Sequence, residues 1–309
     1  MQRIILDTDP GIDDALALFL ALASPEVQLE AITTVNGNVG VAATTRNALT
    51  LLEFLGRTDI PVARGSDRPL LRHYTDAAYV HGDNGLGGIQ LPEPHIQPVA
   101  QHAVDVIIER ILAAPGEITL VAIGPLTNIA LAVRREPRIA QQVREVVIMG
   151  GALRVPGNVT PGAEFNIYVD PEAAHIVFHA GWPLRLVALD VTMQARLPRL
   201  EVDTLAKTQS RVGSFIQQML AYYFDVFGPL YHVTEFHMHD PLCLAAAFQP
   251  ELLTWQSVYV DVELDGKLTT GQTVAYFDQP DAPTPNMQVA IGVNEAAFIE
   301  MFVERMRDL

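Results

Sequence analysis

Short apolar runs of β type alternate along the chain with longer stretches whose apolar residues recur every three to four positions. "RIIL" precedes "IDDALALFLALA", "VQLEAITTV" precedes "VAATTRNALTLLEFL", "ITLVAIG" precedes "LTNIALAV", and "EVVIMGG" and "EAAHIVFHAG" lead on to "LRLVALD". Strands separated by helical segments pair in parallel, because each crossover helix returns the chain to the same end of the sheet. The pattern therefore predicts an α/β fold: a mostly parallel, Rossmann-like sheet with helices on both faces. Punctuation supports the boundaries. Pro25 stops the first helix, Gly56 and Gly181 stand where two others end, and Asn294 is placed to cap the final helix "EAAFIEMFVERM". No linker, repeat or low-complexity tract divides residues 1–309, so a single domain is expected. Two segments read as additions to the core: a helical stretch near 200–228 and a small β-rich, proline-containing stretch from about 255 to 292.

The polar motifs fall where the strands end. Four aspartates, Asp7, Asp9, Asp13 and Asp14, crowd into "LDTDPGIDDA" after the first strand; "NGN" at Asn36–Asn38 follows the second, "GPLTN" follows "ITLVAI", and "MGG" follows "EVVI". In an open parallel sheet the carboxyl ends lie along one edge, and ligands bind in the crevice outside them. These distant motifs are thus expected to form one site.

Composition narrows what the site holds. A formal charge of -16 argues against nucleic acid, whose binding rests on basic phosphate contacts, and suits a small neutral substrate. No run of apolar residues is long enough for a membrane span, and "MQRIILD" enters a strand pattern directly, so a cytoplasmic protein is expected. Cys243, the only cysteine, lies in the apolar "PLCLAAAF" and reads as a buried thiol.

Acids in the first turn of a helix are favoured by its dipole, which accounts for one such residue but not for four. Carboxylates so close repel unless a cation holds them, and an all-oxygen set implies a hard ion, calcium or magnesium. An EF-hand does not fit, because counting from Asp7 its glycine position is Ile12 and its twelfth is Leu18. A haloacid-dehalogenase-like phosphotransferase also places aspartates at i and i+2 after its first strand, but it needs a phosphate-binding lysine, and Lys207 and Lys267 follow no predicted strand. A third reading is a non-catalytic binder of calcium or of a small neutral ligand. Three histidines, His232, His237 and His239, fall close together, and the H-x-H pair His237 and His239 raises zinc; yet no matching histidine or cysteine set stands out elsewhere, and "HDPL" reads better as an imidazole beside one more carboxylate, Asp240.

Taken in order, "DTDPGIDDA", "GPLTNIALA", "MGG", "GNVTPGAEFNIYVDPEAA" and "HDPL" resemble the nucleoside hydrolases of the inosine-uridine-preferring type over nearly the whole chain. The resemblance implies hydrolysis of the N-glycosidic bond of purine or pyrimidine ribonucleosides, a bound calcium ion (Ca2+), and a homodimer or homotetramer. It implies that Asp9 is both metal ligand and general base, and that Asp14, the Thr127 carbonyl and Asp240 complete the metal site. Asp13, Asn38 and Asn166 would hold the ribose 2′ and 3′ hydroxyls, Asn158 and Glu164 the 5′ hydroxyl, and Met149 would line the sugar pocket. His81 would lie near the base, with one of Tyr222, Tyr223 or Tyr231, and His239 would protonate the leaving base. Asp7 receives no role beyond supporting the loop.

Overall fold

The computed structural model describes residues 1–208, 210–231 and 234–309, except the side chains at 227 and 231. His232 lies outside the described residues.

The described residues form eleven strands: β1 (Gln2–Thr8), β2 (Val27–Thr34), β3 (Val62–Arg64), β4 (Ile118–Ala122), β5 (Glu145–Met149), β6 (Leu184–Val187), β7 (Arg196–Pro198), β8 (Glu235–His237), β9 (Leu253–Val262), β10 (Thr273–Tyr276) and β11 (Met287–Val293). Nine make one sheet in the order β10-β9-β11-β6-β5-β4-β1-β2-β3. From β11 through β3 every pairing is parallel, as the alternation predicts. Alternate residues of the buried strands point to opposite faces. Leu6, Val121 and Val147 join one core with the helices Ile12–Ala23, Val41–Phe54, His239–Phe248 and Glu295–Asp308; Ile5, Leu120 and Val146 join the other with Ala103–Ala113, Thr127–Arg135 and Pro171–Phe178. The helix Ile12–Ala23 is apolar and buried almost all round, because the helices of its face enclose it.

The β-rich stretch near 255–292 is not a separate addition. β11 pairs with β6 in parallel, β9 with β11 antiparallel and β10 with β9 antiparallel, so the segment extends the main sheet as a mixed edge. A strand's own pattern reveals its pleat but not its partner, which explains why it reads locally as an appendage. The small sheet β7–β8 has no counterpart in the sequence expectations. The helical stretch is confirmed. Its second helix, Arg211–Tyr222, sets Phe215 against Phe19 and Phe54 at ring-centroid distances of 5.7 and 4.7 Å, and runs into a π-helical stretch, Tyr223–Phe227. Helix ends follow their predicted signals: Gly56 and Gly181 take positive φ, and the Asn294 side chain accepts the Ala297 N–H.

The chain lays β2 and β3 on one side of β1 and β4 to β6 on the other. The strand order therefore reverses between β1 and β4, and loops leaving the carboxyl ends of these neighbours diverge to opposite faces, opening a crevice there.

Candidate active site

Asp9 stands at that reversal point. The loop after β2 and the loop after β4 close on its carboxylate from both sides: a methyl carbon placed on Gly37 would lie 2.0 Å from Asp9 Oδ2, and one on Gly124 would lie 2.4 Å from Oδ1. Glycine is required at both positions for reasons of space alone. Asp9 Oδ2 accepts the Asn38 N–H at 2.7 Å, whereas Oδ1 is buried with no hydrogen-bond partner among the described residues.

The next two acids sit in the first turn of the helix Ile12–Ala23. Asp14 accepts the backbone N–H groups of Asp9 (3.1 Å) and Gly11 (2.9 Å), the Asn38 amide at 2.9 Å and the Thr8 hydroxyl, so it ties together the loops after β1 and β2. Asp13 Oδ1 is buried with no hydrogen-bond partner among the described residues. Asp240 enters from the first turn of His239–Phe248, and oxygens of Asp13, Asp14 and Asp240 lie within 4.8 Å of one another. Two helix N-termini thus face each other across three carboxylates, and their dipoles favour negative charge there. Among the described residues no lysine or arginine pairs with any of the four acids. Burial raises all four carboxyls, and neighbouring carboxylate charge adds to it for Asp9, Asp13 and Asp240; Asp13 is pushed up to about 8. A hard cation relieves both effects, and the donor set, buried carboxylate oxygens with two uncommitted atoms, fits one. The cluster is a candidate metal centre.

Asp7 is a different case. It points from β1 into the sheet, accepts from Thr33 Oγ1 (2.6 Å) and Asn128 Nδ2 (2.9 Å), and burial pushes it up to about 7. Asn128, held so, also takes the Ser66 N–H and donates to the Thr34 carbonyl, pinning the "GPLTN" loop to its neighbours. Thr127 opens the helix Thr127–Arg135 and turns its hydroxyl to Asp170 Oδ2 at 2.7 Å, away from the acids.

A cavity of about 490 Å³ adjoins the cluster, a suitable size for a small ligand. Its walls include Asp13, Asn38, His81, Met149, Asn158, Glu164, Asn166, His239 and Asp240. Asp9, Asp14 and Thr127 are buried and are not among its lining residues. The amides are oriented by what they already hold. Asn166 spends its Nδ2 on the Ile123 and Met149 carbonyls (3.0 and 3.2 Å), and Asn38 spends its own on Asp9 O and Asp14, so each keeps its carbonyl oxygen to accept a hydroxyl. Asn158 Oδ1 takes the Phe165 N–H, which leaves its NH₂ as a donor. Glu164 caps the helix Phe165–Val169 and also takes the Gly151 N–H.

His81 is buried. Its Nδ1 accepts the Ile12 N–H at 3.0 Å, which places its own proton on Nε2, and burial depresses the ring to about 4. His239 lies 2.8 Å from the Thr192 hydroxyl through Nδ1 and stacks on His237 at 5.6 Å; burial first, then the adjacent imidazoles, lower it to about 3. Both histidines are neutral near pH 7, so they enter the chemistry as N–H donors or lone-pair acceptors. Of the three tyrosine candidates, Tyr223 lines the cavity at the start of the π-helical stretch, Tyr222 reaches toward the Tyr79 carbonyl, and the Tyr231 side chain lies outside the described residues.

A cluster of buried acids at the reversal point of an α/β sheet, opening on a cavity lined with hydroxyl acceptors, is what the opening motifs predict. Residues 4–300 match the family model for inosine-uridine preferring nucleoside hydrolases. The chain belongs to this family. The inosine-uridine preferring nucleoside hydrolase of Crithidia fasciculata is 42% identical, covering 96% of this chain and 95% of its own. The probable uridine nucleosidase 2 of Arabidopsis thaliana is 40% identical over 99% of this chain and 98% of its own. Among solved structures, the purine-preferring ribonucleoside hydrolase from Gardnerella vaginalis superposes with a TM-score of 0.94 at 34% identity, covering 99% of this chain and 98% of that one. As a nucleoside hydrolase the protein is an enzyme that hydrolyses nucleosides to free base and ribose, which sets aside the phosphotransferase and the silent binder. No helix among the described residues is long and apolar enough to cross a membrane.

The candidate site also contains residues to which the sequence motifs assign no role. Ile123, Phe165, Phe236, His237 and Val80 line the cavity, Thr192 orients His239, and Asp170 anchors Thr127. His237 is raised by the sequence only for zinc, because β8 is too short and too locally patterned to show that it pairs with β7 and turns that ring toward the site.

Proposed function

We propose that the protein is a calcium-dependent ribonucleoside hydrolase with Asp9 as its general base. The observation that carries this reading is the pair of buried, uncommitted carboxylate oxygens, Asp9 Oδ1 and Asp13 Oδ1, beside Asp14 and Asp240 with no lysine or arginine among the described residues to balance them. Asp9, Asp14, Asp240 and the Thr127 carbonyl would hold the ion. Calcium supplies charge balance and a modest lowering of water's pKa, less than zinc gives, so the reaction still needs a carboxylate base.

Asp9 Oδ2 is committed to the Asn38 N–H, so the proton from the attacking water goes to Oδ1. As the bond to the base lengthens, positive charge grows on the ribose, and the surrounding carboxylates stabilise it. Asp13 and the carbonyl oxygens of Asn38 and Asn166 accept the 2′ and 3′ hydroxyls; Glu164 and the Asn158 amide take the 5′ hydroxyl; Met149 packs against the sugar. His81 and Tyr223 face the base. His239 acts on the leaving base as an oriented N–H donor, because its surroundings disfavour the imidazolium that an outright acid requires.

The relatives' names divide between uridine, inosine with uridine, and purines, so we read the substrate class as ribonucleosides of both kinds. We place the enzyme in the cytoplasm, where its single buried cysteine stays reduced, as a homodimer or homotetramer of 33.8 kDa chains. Incubation with inosine, guanosine, uridine and cytidine, followed by chromatography for free base and ribose, tests the activity. Release of base from at least one purine and one pyrimidine supports the reading. No release from any of the four would overturn it.

A further inference from the structure

Away from the nucleoside cavity, the helix Pro171–Phe178 and strand β9 bring together two histidines and an aspartate. His175 and His179 are one helical turn apart, so both rings project from the same side, with centroids 4.4 Å apart. Asp261 reaches them from β9. Its Oδ1 lies 2.8 Å from His175 Nδ1, and its Oδ2 lies 3.7 Å from His179 Nε2. One ligand atom from each residue falls within 4.8 Å of the other two.

The tautomer of His179 is decided by its own helix. Nδ1 stands 2.9 Å from the His175 carbonyl, which can only accept, so Nδ1 carries the proton and Nε2 keeps its lone pair. That lone pair points toward Asp261 Oδ2 and the Tyr259 hydroxyl, the latter at 3.2 Å. A carbonyl that fixes one ring nitrogen and frees the other is the outer support common to metal-binding histidines. Asp261 is supported as well, since its Oδ1 accepts the Val262 N–H at 2.7 Å. All three side chains are between one third and two fifths exposed, which leaves room for the closing rotations and for water in the open positions.

We propose that His175, His179 and Asp261 form a binding site for a borderline-soft divalent ion of the zinc class, separate from the acidic centre of the active site. Two imidazoles and one carboxylate are a common zinc donor set, and imidazole disfavours calcium and magnesium, so the two sites sort ions by chemistry. The sequence reading that found no second histidine set overlooked "HIVFH", because its third ligand comes from a strand far along the chain.

The test is calorimetric titration of the intact protein with Zn2+ in a large excess of Ca2+. Cobalt substitution gives a second readout, the visible absorption of the bound ion. The wild-type protein is expected to bind one Zn2+, and this event should persist in Asp14→Asn. His179→Ala and Asp261→Asn should each weaken it by about tenfold or more while leaving uridine or inosine hydrolysis within about twofold. Circular dichroism checks that both variants are folded. Zinc affinity unchanged in both variants, or zinc binding abolished only by Asp14→Asn, overturns the proposal.

Discussion

Gly37→Ala probes the packing around the proposed base without touching a functional group. A methyl carbon at Gly37 would lie 2.0 Å from Asp9 Oδ2, 2.7 Å from Asp9 Cγ and 2.9 Å from Pro125 Cδ. Ordinary contact begins near 3.4 Å, so the carboxylate must retreat by about 1.4 Å (3.4 − 2.0), and Pro125 crowds the methyl group as well. A retreat that large breaks the 2.7 Å bond from the Asn38 N–H and moves Oδ1 from the point at which it meets water. Displacing a reacting group by about 1 Å costs on the order of a hundredfold in rate, whereas overpacking a buried site costs about 1–3 kcal/mol of stability. The expected outcome is a fall in kcat of about a hundredfold or more with a drop of only several degrees in Tm. Gly40→Ala in the same "NGNVG" loop is the control: a methyl carbon there meets nothing within 4 Å, and both activity and Tm should be retained. Steady-state hydrolysis of uridine and inosine with thermal melts of both variants settles the matter. If Gly37→Ala keeps kcat within about threefold of wild type, Asp9 is not the positioned base argued here.

The remaining predictions address the ion, the sugar and the leaving group. Exhaustive chelation should abolish hydrolysis and calcium should restore it; full activity in verified metal-free protein contradicts the metal assignment, and zinc outperforming calcium contradicts the hard-ion reading. Deoxyuridine should be a poorer substrate than uridine by roughly a hundredfold or more in kcat/KM, because Asp13 and Asn166 would be left without the 2′ hydroxyl they are oriented to accept; comparable values refute that orientation. His239→Ala should slow inosine hydrolysis by about 10² or more yet largely spare p-nitrophenyl riboside, whose leaving group needs no donor, and equal losses on both would reduce His239 to a support for Asp240.

Much of this protein is legible from sequence because it is local. The period of the apolar positions sets each strand and helix, and the fold class follows from their alternation. Asp9, Asn38, Thr127 and Met149 lie at or just beyond the ends of β1, β2, β4 and β5, and the geometry of a parallel sheet brings those ends together. Even the buried capping acid Asp14 is announced by its place in a first helical turn. Long-range pairing is another matter. That β11 joins β6, that β7 and β8 pair to aim His237 at the cavity, and that Asp7 holds Asn128 all depend on partners far away in the chain. The tertiary structure alone put Tyr223 rather than Tyr222 on the cavity wall, neutralised His239 by burying it against two other imidazoles, and set Asp261 against His175 and His179. The division has one physical cause. A residue's backbone preference and periodicity act over a few neighbours, but its hydrogen-bond partners, desolvation and charge environment come from whichever segments pack against it.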